Sequence, residues 1–537
     1  MHVLTIGIDG GTFKTLQPMM DLGIMPRLKE AMARGTYALA ESVIPTNSAA
    51  AWSSIMTGLN PGKHGIFYFN ELERTEAGPK WGRIVNFSSI HGTTLWKILG
   101  DHGLRVCVVN VPITYPPEDV NGILISGLLA PSESSNYTYP SELRNDLVDY
   151  KIDINLMDED RPSKEDWYKH ILREVTEITK VRNRNVISLL KKEDWDFVMV
   201  VYRETDDVQH FLWHVISQGL SKSGETTYFP LVKEYFSLLD SSIGELLDRM
   251  GEETDTFIIS DHGFDAMPTR IFDLDSWARS RELQFYRSGY AQIRITALGL
   301  IRKIISNQNF AEIVKFVSQE RKVANTLEFG VVKNKDNLIN WQRTLAFKFG
   351  DGLALKLESM DDARMYSIKQ AIRKDLISMV DPGEKSKPIT DVVERDLVYK
   401  GPFSSRAPDL VVIPSAKYKL STIPGTKMFE NSPKIELTGE HDRHGIFIAL
   451  GPNIRRSGQI DNVSILDFFP TLLELFNIDL PSDLDGKVLQ SILIQTGPKE
   501  PRRLAEYAPA MTAKSMTEFS RSEEEDLRER LSRLGYL

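Results

Sequence analysis

Five clusters of polar residues in this chain have the types and spacing to hold divalent cations and a phosphate. Asp9 ends an apolar run. Ser48 opens Ser48-Ala49-Ala50-Ala51-Trp52, followed by a glycine-containing stretch that carries Lys63 and His64. Asp206, Asp207 and His210 stand within seven consecutive residues, Asp261 and His262 are adjacent, and His441 and His444 flank Asp442-Arg443. Taken singly, each has an ordinary explanation. Asp before Gly is common in turns, Asp206 and His210 could be a surface pair on a helix, and Ser48 could cap a helix beginning near Ala49. Taken together they read as chemistry, because carboxylate oxygen and imidazole nitrogen are the donors that suit zinc and its neighbours. Asp206 and His210, four apart, would project from one helical face toward one ion. Asp261 and His262 are expected to point to opposite sides and serve two ions. Two cations can clamp the attacking and leaving oxygens of an in-line phosphoryl displacement. A serine hydroxyl is weakly nucleophilic until activated, and one at a helix start beside a cation receives help from both.

Such groups need rigid elements to position them. Short apolar runs at residues 3–8, 106–111, 122–126, 197–202, 256–260, 409–413 and 446–450 read as buried strands. Between several of them lie amphipathic stretches of helical period, at 167–191 and 228–250. This alternation predicts an α/β fold with a mainly parallel sheet covered by helices. In such sheets sites form beyond the carboxyl ends of strands, and most of the five clusters follow a predicted strand.

The alternation breaks between about 268 and 400. Residues 286–322 read as helical and locally basic, an inserted cap that would line a lid, lie on a membrane surface or pack on the core. Residues 1–267 and 401–500 are therefore assigned to the catalytic core, 268–400 to the insertion and 501–537 to a tail. In the tail, Ser522 and Glu525 form a capping box ahead of Leu527, Leu531 and Leu534. That helix is expected to pack on the body without a chemical role.

A chain of 537 residues with net charge −9 is poorly suited to general nucleic-acid binding. The single cysteine, Cys107, reads as a core thiol in an apolar run. The start lacks a basic signal-peptide region, and no apolar stretch is long enough to span a membrane. The expected location is cytoplasmic, and the expected partner is a small phosphate ester.

The ordered motifs IGIDG, AWSSIMTGLNPGKHGIF, NVPITYPP, ISGLLAPS, TDDVQHFLW, SDHGF, APDL and the closing LGYL resemble those of the alkaline phosphatase superfamily. More narrowly, they are similar to its phosphohydrolase/phosphomutase branch, related to the type I phosphodiesterase/nucleotide pyrophosphatases. The resemblance implies an alkaline-phosphatase-like sheet sandwiched by helices, with Ser48, four residues before Trp52, as nucleophile. It implies one cation at Asp9, Ser48, Asp261 and His262, and a second at Asp206, His210 and His441. Zinc is the first expectation for both ions, with manganese as the alternative. Asp207 rivals Asp206 and His444 rivals His441, but family spacing and the Gly-x-His pattern favour Asp206 and His441. Ala49 and Ala50 stand where relatives often carry prolines. Asn70 is the nearest candidate for the Asn that binds a phosphoryl oxygen in the nucleotide pyrophosphatases. Lys63 and His64 are candidates for contacting phosphate, or for capping the turn.

The implied activity is a phosphodiesterase or phosphatase acting through a phosphoseryl intermediate. A phosphomutase of the cofactor-independent phosphoglycerate mutase type is the alternative on the same site. A sulfatase fits poorly, since Ala-Ala-Ala follows Ser48. A non-catalytic scaffold would not need every ligand position intact.

Overall fold

The computed structural model describes residues 1–75, 78–154, 164–221, 226–287, 339–356, 360–421, 427–432, 437–494, 519–534 and 536. They form two compact units. The first comprises Met1–Glu71, Arg83–Met267 and Leu437–Leu537, and the second Leu72–Gly82 and Pro268–Glu436.

The first unit is built on a ten-stranded sheet among the described residues. Its spatial order is Gly458–Gln459, Thr36–Glu41, His444–Leu450, Thr254–Ile259, His2–Ile8, Phe197–Tyr202, Val106–Val111, Gly122–Ser126 and Thr138–Tyr139, with Val463–Ser464 beside Thr36–Glu41. The central strands are parallel; His444–Leu450 runs antiparallel to both its neighbours. Strands such as Phe197–Tyr202 and Val106–Val111 are buried at every position, as a sheet covered on both faces requires. Leu4, Ile6 and Ile8 face a core built with helices Lys164–Leu190, Glu204–Leu220 and Phe229–Met250. Val3 faces the opposite core, which contains the helix Ser48–Thr57. The fold is thus an α/β sandwich with a mainly parallel central sheet.

Thr36–Glu41 has no counterpart among the predicted strands. Its buried positions alternate with half-buried ones, and its central Ala38-Leu39-Ala40 is too short to stand out in a search for apolar runs. The run at 409–413 does form a strand, Leu410–Pro414, but not in the main sheet. It pairs antiparallel with Gly352–Leu355 and Ile389–Glu394 in a four-stranded sheet of the second unit. That unit consequently continues to Glu436 rather than ending near 400. Apart from Tyr286 and Arg287, the cap predicted at 286–322 lies outside the described residues.

The terminal helix spans Arg521–Leu534 and buries Leu527, Leu531 and Leu534. Its capping box falls two residues before the predicted one. Ser520 Oγ accepts from Glu523 N at 3.3 Å, and Glu523 Oε2 accepts from Ser520 N at 2.8 Å. Among the described residues no helix is long and apolar enough to cross a membrane.

Candidate active site

Asp9 follows the strand His2–Ile8, and its N–H donates to Tyr202 O at 3.0 Å, which fixes it between two strand ends. The chain then turns at Gly10, φ +65°, where a Cβ would stand 2.8 Å from the Phe264 ring. Only glycine suits both the left-handed backbone and that approach.

Ser48 is the first residue of its helix, not the cap. Asn47 is the cap and accepts from Ala50 N at 3.0 Å. The Ser48 hydroxyl is therefore left for other partners: Asp9 Oδ1 at 3.3 Å and His262 Nε2 at 3.2 Å. One turn later Trp52 Nε1 donates to Asp9 Oδ2 at 2.9 Å. Gly7 makes room for that indole, since a Cβ there would lie 2.6 Å from it.

Asp206 and His210 lie on the helix Glu204–Leu220, His210 Nε2 being 3.5 Å from Asp206 Oδ2. His441 arrives by a different route. The short strand Gly439–Asp442 pairs antiparallel with Gly263–Ala266, with Phe264 opposite His441. This places His441 Nε2 3.3 Å from Asp206 Oδ1 and 3.0 Å from His210 Nε2. Asp261 Oδ1 accepts from Gly10 N at 3.2 Å, and its Oδ2 lies 3.3 Å from His262 Nε2. The expectation that Asp261 and His262 point to opposite sides is thus corrected. They occupy the bend between two strands, where the strict alternation of a pleated strand does not apply.

The structure brings together Asp9, Ser48, Asp206, His210, Asp261, His262 and His441, all buried or nearly so. The rivals lie elsewhere: Asp207 pairs with Arg203, and His444 is exposed and 3.3 Å from Asp442. Lys63 is committed to Asp485 Oδ1 and Asp483 O, each at 2.6 Å. His64 bonds Ser54 Oγ at 2.9 Å and accepts from Ile66 N at 3.1 Å, so it ties its turn to the Ser48 helix. Burial lowers its pKa to about 3, so it is neutral and a poor phosphate ligand. Asn70 is buried, and its Oδ1 has no partner among the described residues.

Three features test whether cations fit. His210, His262 and His441 each place Nδ1 against a backbone carbonyl, at 3.2, 3.1 and 3.1 Å. That contact fixes the tautomer and turns the Nε2 lone pair inward, as in metal-binding histidines. Asp206 Oδ1 and Asp261 Oδ2 are buried without a hydrogen-bond partner among the described residues, a costly state that a cation would relieve. Finally, ligand atoms of Asp9, Asp261 and His262, and of Asp206, His262 and His441, lie within 4.8 Å of one another. The residues offer two overlapping ligand groups that share His262, a donor set suited to divalent cations.

The electrostatics agree. Burial, with Asp261 and Asp206 nearby, raises Asp9 well above the usual carboxylate range. Burial also raises Asp261 to about 7. His441 is raised to about 9, because Asp206 outweighs burial. A folded group that holds its proton more tightly than in the unfolded chain contributes stability that is lost as pH rises through the folded pKa. Metal-free protein should therefore lose stability as pH rises from 7 toward 9, through loss of the His441 proton. His64, His210 and His262, whose pKa values burial lowers, act in the opposite sense only below their ordinary range. Thermal melts of chelated and zinc-loaded protein across that window check this. The loaded protein should show no such fall, since cations displace the proton; equal slopes would contradict the fit.

Sequence reasoning missed two neighbours of the site. Arg203 is buried between Asp153 and Asp207, with Nη1 3.9 Å from Asp206 Oδ2. Tyr536, from the tail expected to carry no chemistry, donates its hydroxyl to Asp206 Oδ2. The sequence signals near it were the closing LGYL motif and the leucine spacing of the terminal helix.

The family model for type I phosphodiesterase/nucleotide pyrophosphatase matches residues 3–446. No curated protein matches by sequence. Among solved structures, human ectonucleotide pyrophosphatase/phosphodiesterase 5 is similar at 14% identity and TM-score 0.47, covering 92% of this chain and 100% of that one. Phosphonoacetate hydrolase from Sinorhizobium meliloti 1021, in complex with phosphonoformate, is similar at 16% identity and TM-score 0.49, covering 87% and 94%.

Proposed function

Because the chain belongs to the type I phosphodiesterase/nucleotide pyrophosphatase family, and so is a phosphoric ester hydrolase, we propose that it transfers the phosphoryl group of a small phosphate ester to Ser48 and then to water. The cations would be held by Asp9, Ser48, Asp261 and His262 on one side and by Asp206, His210 and His441 on the other. Zinc is the first candidate for both. The observation that carries this reading is the Ser48 hydroxyl, uncommitted to capping and within 3.3 Å of both Asp9 Oδ1 and His262 Nε2.

Two divalent cations, when bound, supply Lewis acidity and neutralise charge on the transferring phosphoryl group. The protein supplies the rest. The helix start at Ser48 favours a dianion in front of it. Asp9 Oδ1 and His262 Nε2 fix the Ser48 hydroxyl beside the site they would share with a cation, Trp52 fixes the other Asp9 oxygen, and the hydroxyl proton passes to water. As Ser48 Oγ bonds to phosphorus, the ester oxygen departs. Water then attacks the phosphoserine, releasing phosphate or its monoester and restoring the hydroxyl. Asn70 is a candidate contact for substrate: its Nδ2 could donate to a phosphoryl oxygen, whereas its Oδ1, without a partner among the described residues, could only accept from a donor on the substrate.

The test is hydrolysis of a chromogenic phosphodiester, a phosphomonoester and a dinucleoside pyrophosphate by protein loaded with zinc or manganese. Cleavage of at least one class is expected, abolished by chelation and restored by metal. Protein that holds two ions and cleaves none of the three would refute the proposal.

A further inference from the structure

The terminal helix is anchored at several points. Leu527 and Leu531 enter the core on one side of the main sheet, and Leu534 enters the core on the other. Arg530 Nη2 donates to Ala130 O at 2.9 Å, and Ile84 N to Glu524 Oε1 at 3.3 Å. The chain then folds back, Tyr536 N donating to Leu531 O at 2.9 Å. This directs the Tyr536 side chain inward. Its ring packs 4.7 Å from Phe69 and lies 5.9 and 6.0 Å from the rings of His210 and His441. Its hydroxyl donates to Asp206 Oδ2.

The two Asp206 oxygens are thereby divided. Oδ2 is held by the phenol, while Oδ1 faces His441 Nε2 at 3.3 Å. A carboxylate with one oxygen tethered presents the other in a fixed direction, which is how outer-shell partners orient metal ligands. We propose that Tyr536 is a positioning residue for the cation of Asp206, His210 and His441, so that docking of the C-terminal tail and occupancy of that site are coupled. This rests on the proposed two-cation centre. Coupling of this kind is reciprocal: a cation on Asp206 holds the tail in place, and a docked tail raises affinity for that cation.

The test compares zinc binding by the full chain, Tyr536→Phe and His441→Ala, by titration calorimetry and by metal content after dialysis. Tyr536→Phe keeps the ring against Phe69 and removes only the hydroxyl. It should bind one of the two ions about 10- to 100-fold more weakly, leaving the other unchanged. Zinc should also slow amide exchange at Leu531 and Leu534 in the full chain, and less so in the variant. A purely structural tyrosine would instead lower the melting temperature of the metal-free protein and leave both affinities intact. If His441→Ala loses an ion while Tyr536→Phe keeps both affinities, the tail has no positioning role and this inference falls alone. If His441→Ala retains both ions at full affinity, the two-cation reading falls and this inference with it.

Discussion

Ser48→Ala is expected to abolish turnover, by at least about 1,000-fold in kcat, while leaving the fold and both cations in place. The expectation follows from what the hydroxyl does in the structure. Asn47 caps the helix, so removing the Ser48 hydroxyl does not uncap it. What is lost locally is a hydrogen bond near the Asp9 carboxylate and His262. A loss of that kind costs about 1 to 2 kcal/mol, too little to unfold a domain of ordinary stability. Asp9, Asp261 and His262 keep their oxygen and nitrogen donors, and Trp52 still holds Asp9. The chemistry, in contrast, loses its attacking atom. Wild-type protein quenched in acid during turnover should carry phosphate on Ser48, and the variant none. A variant that retains near-normal rates with both ions bound would mean that water attacks phosphorus directly, and the covalent route would be wrong.

How much of this was legible in the sequence depended on which physical signal each residue left. Asp9, Asp206 and Asp261 follow strands that each end in an apolar run, so their place at carboxyl ends could be inferred from pattern alone. The strand Thr36–Glu41 left no such signal, because Thr36 and Glu41 bound a central Ala38-Leu39-Ala40 too short and too weakly apolar to read as a run. The strand Leu410–Pro414 left the same signal as the central strands but pairs in another sheet. An apolar run reports burial and not the identity of its partner. His441 stood out by its neighbours, whereas its approach to Asp206 depends on an antiparallel register with Gly263–Ala266 that no local pattern encodes. Lys63 shows the converse: a cation in a suggestive motif whose charge is answered by Asp485, more than 400 positions away in sequence. The contact of Tyr536 with Asp206 spans a separation of 330, and neither the closing LGYL motif nor the leucine spacing of the terminal helix says which residue the tail reaches.

The division of the ligands between two ions gives the other large expected effect. His441→Ala and Asp261→Asn should each leave one cation bound per chain, and should each reduce turnover by orders of magnitude, because two-metal displacement needs both. His441 is the shared neighbour of Asp206 and His210, at 3.3 and 3.0 Å. Asp261 is turned toward Asp9 and His262 and held there by Gly10 N. His262 is the residue that tests the partition, because its Nε2 lies 3.7 Å from Asp9 Oδ1 but only 4.0 Å from Asp206 Oδ1, and its ring stacks on His441 at 3.8 Å. If His262 serves the ion of Asp9 and Asp261, then the double variant His262→Ala with Asp261→Asn keeps one ion, and His262→Ala with His441→Ala keeps none. If His262 instead serves the ion of Asp206 and His441, the two results exchange. Metal content measured by mass spectrometry after exhaustive dialysis reads the answer directly, without reference to activity. A single ion in His262→Ala with His441→Ala would overturn the assignment of His262, while leaving intact the conclusion that two cations share the cluster.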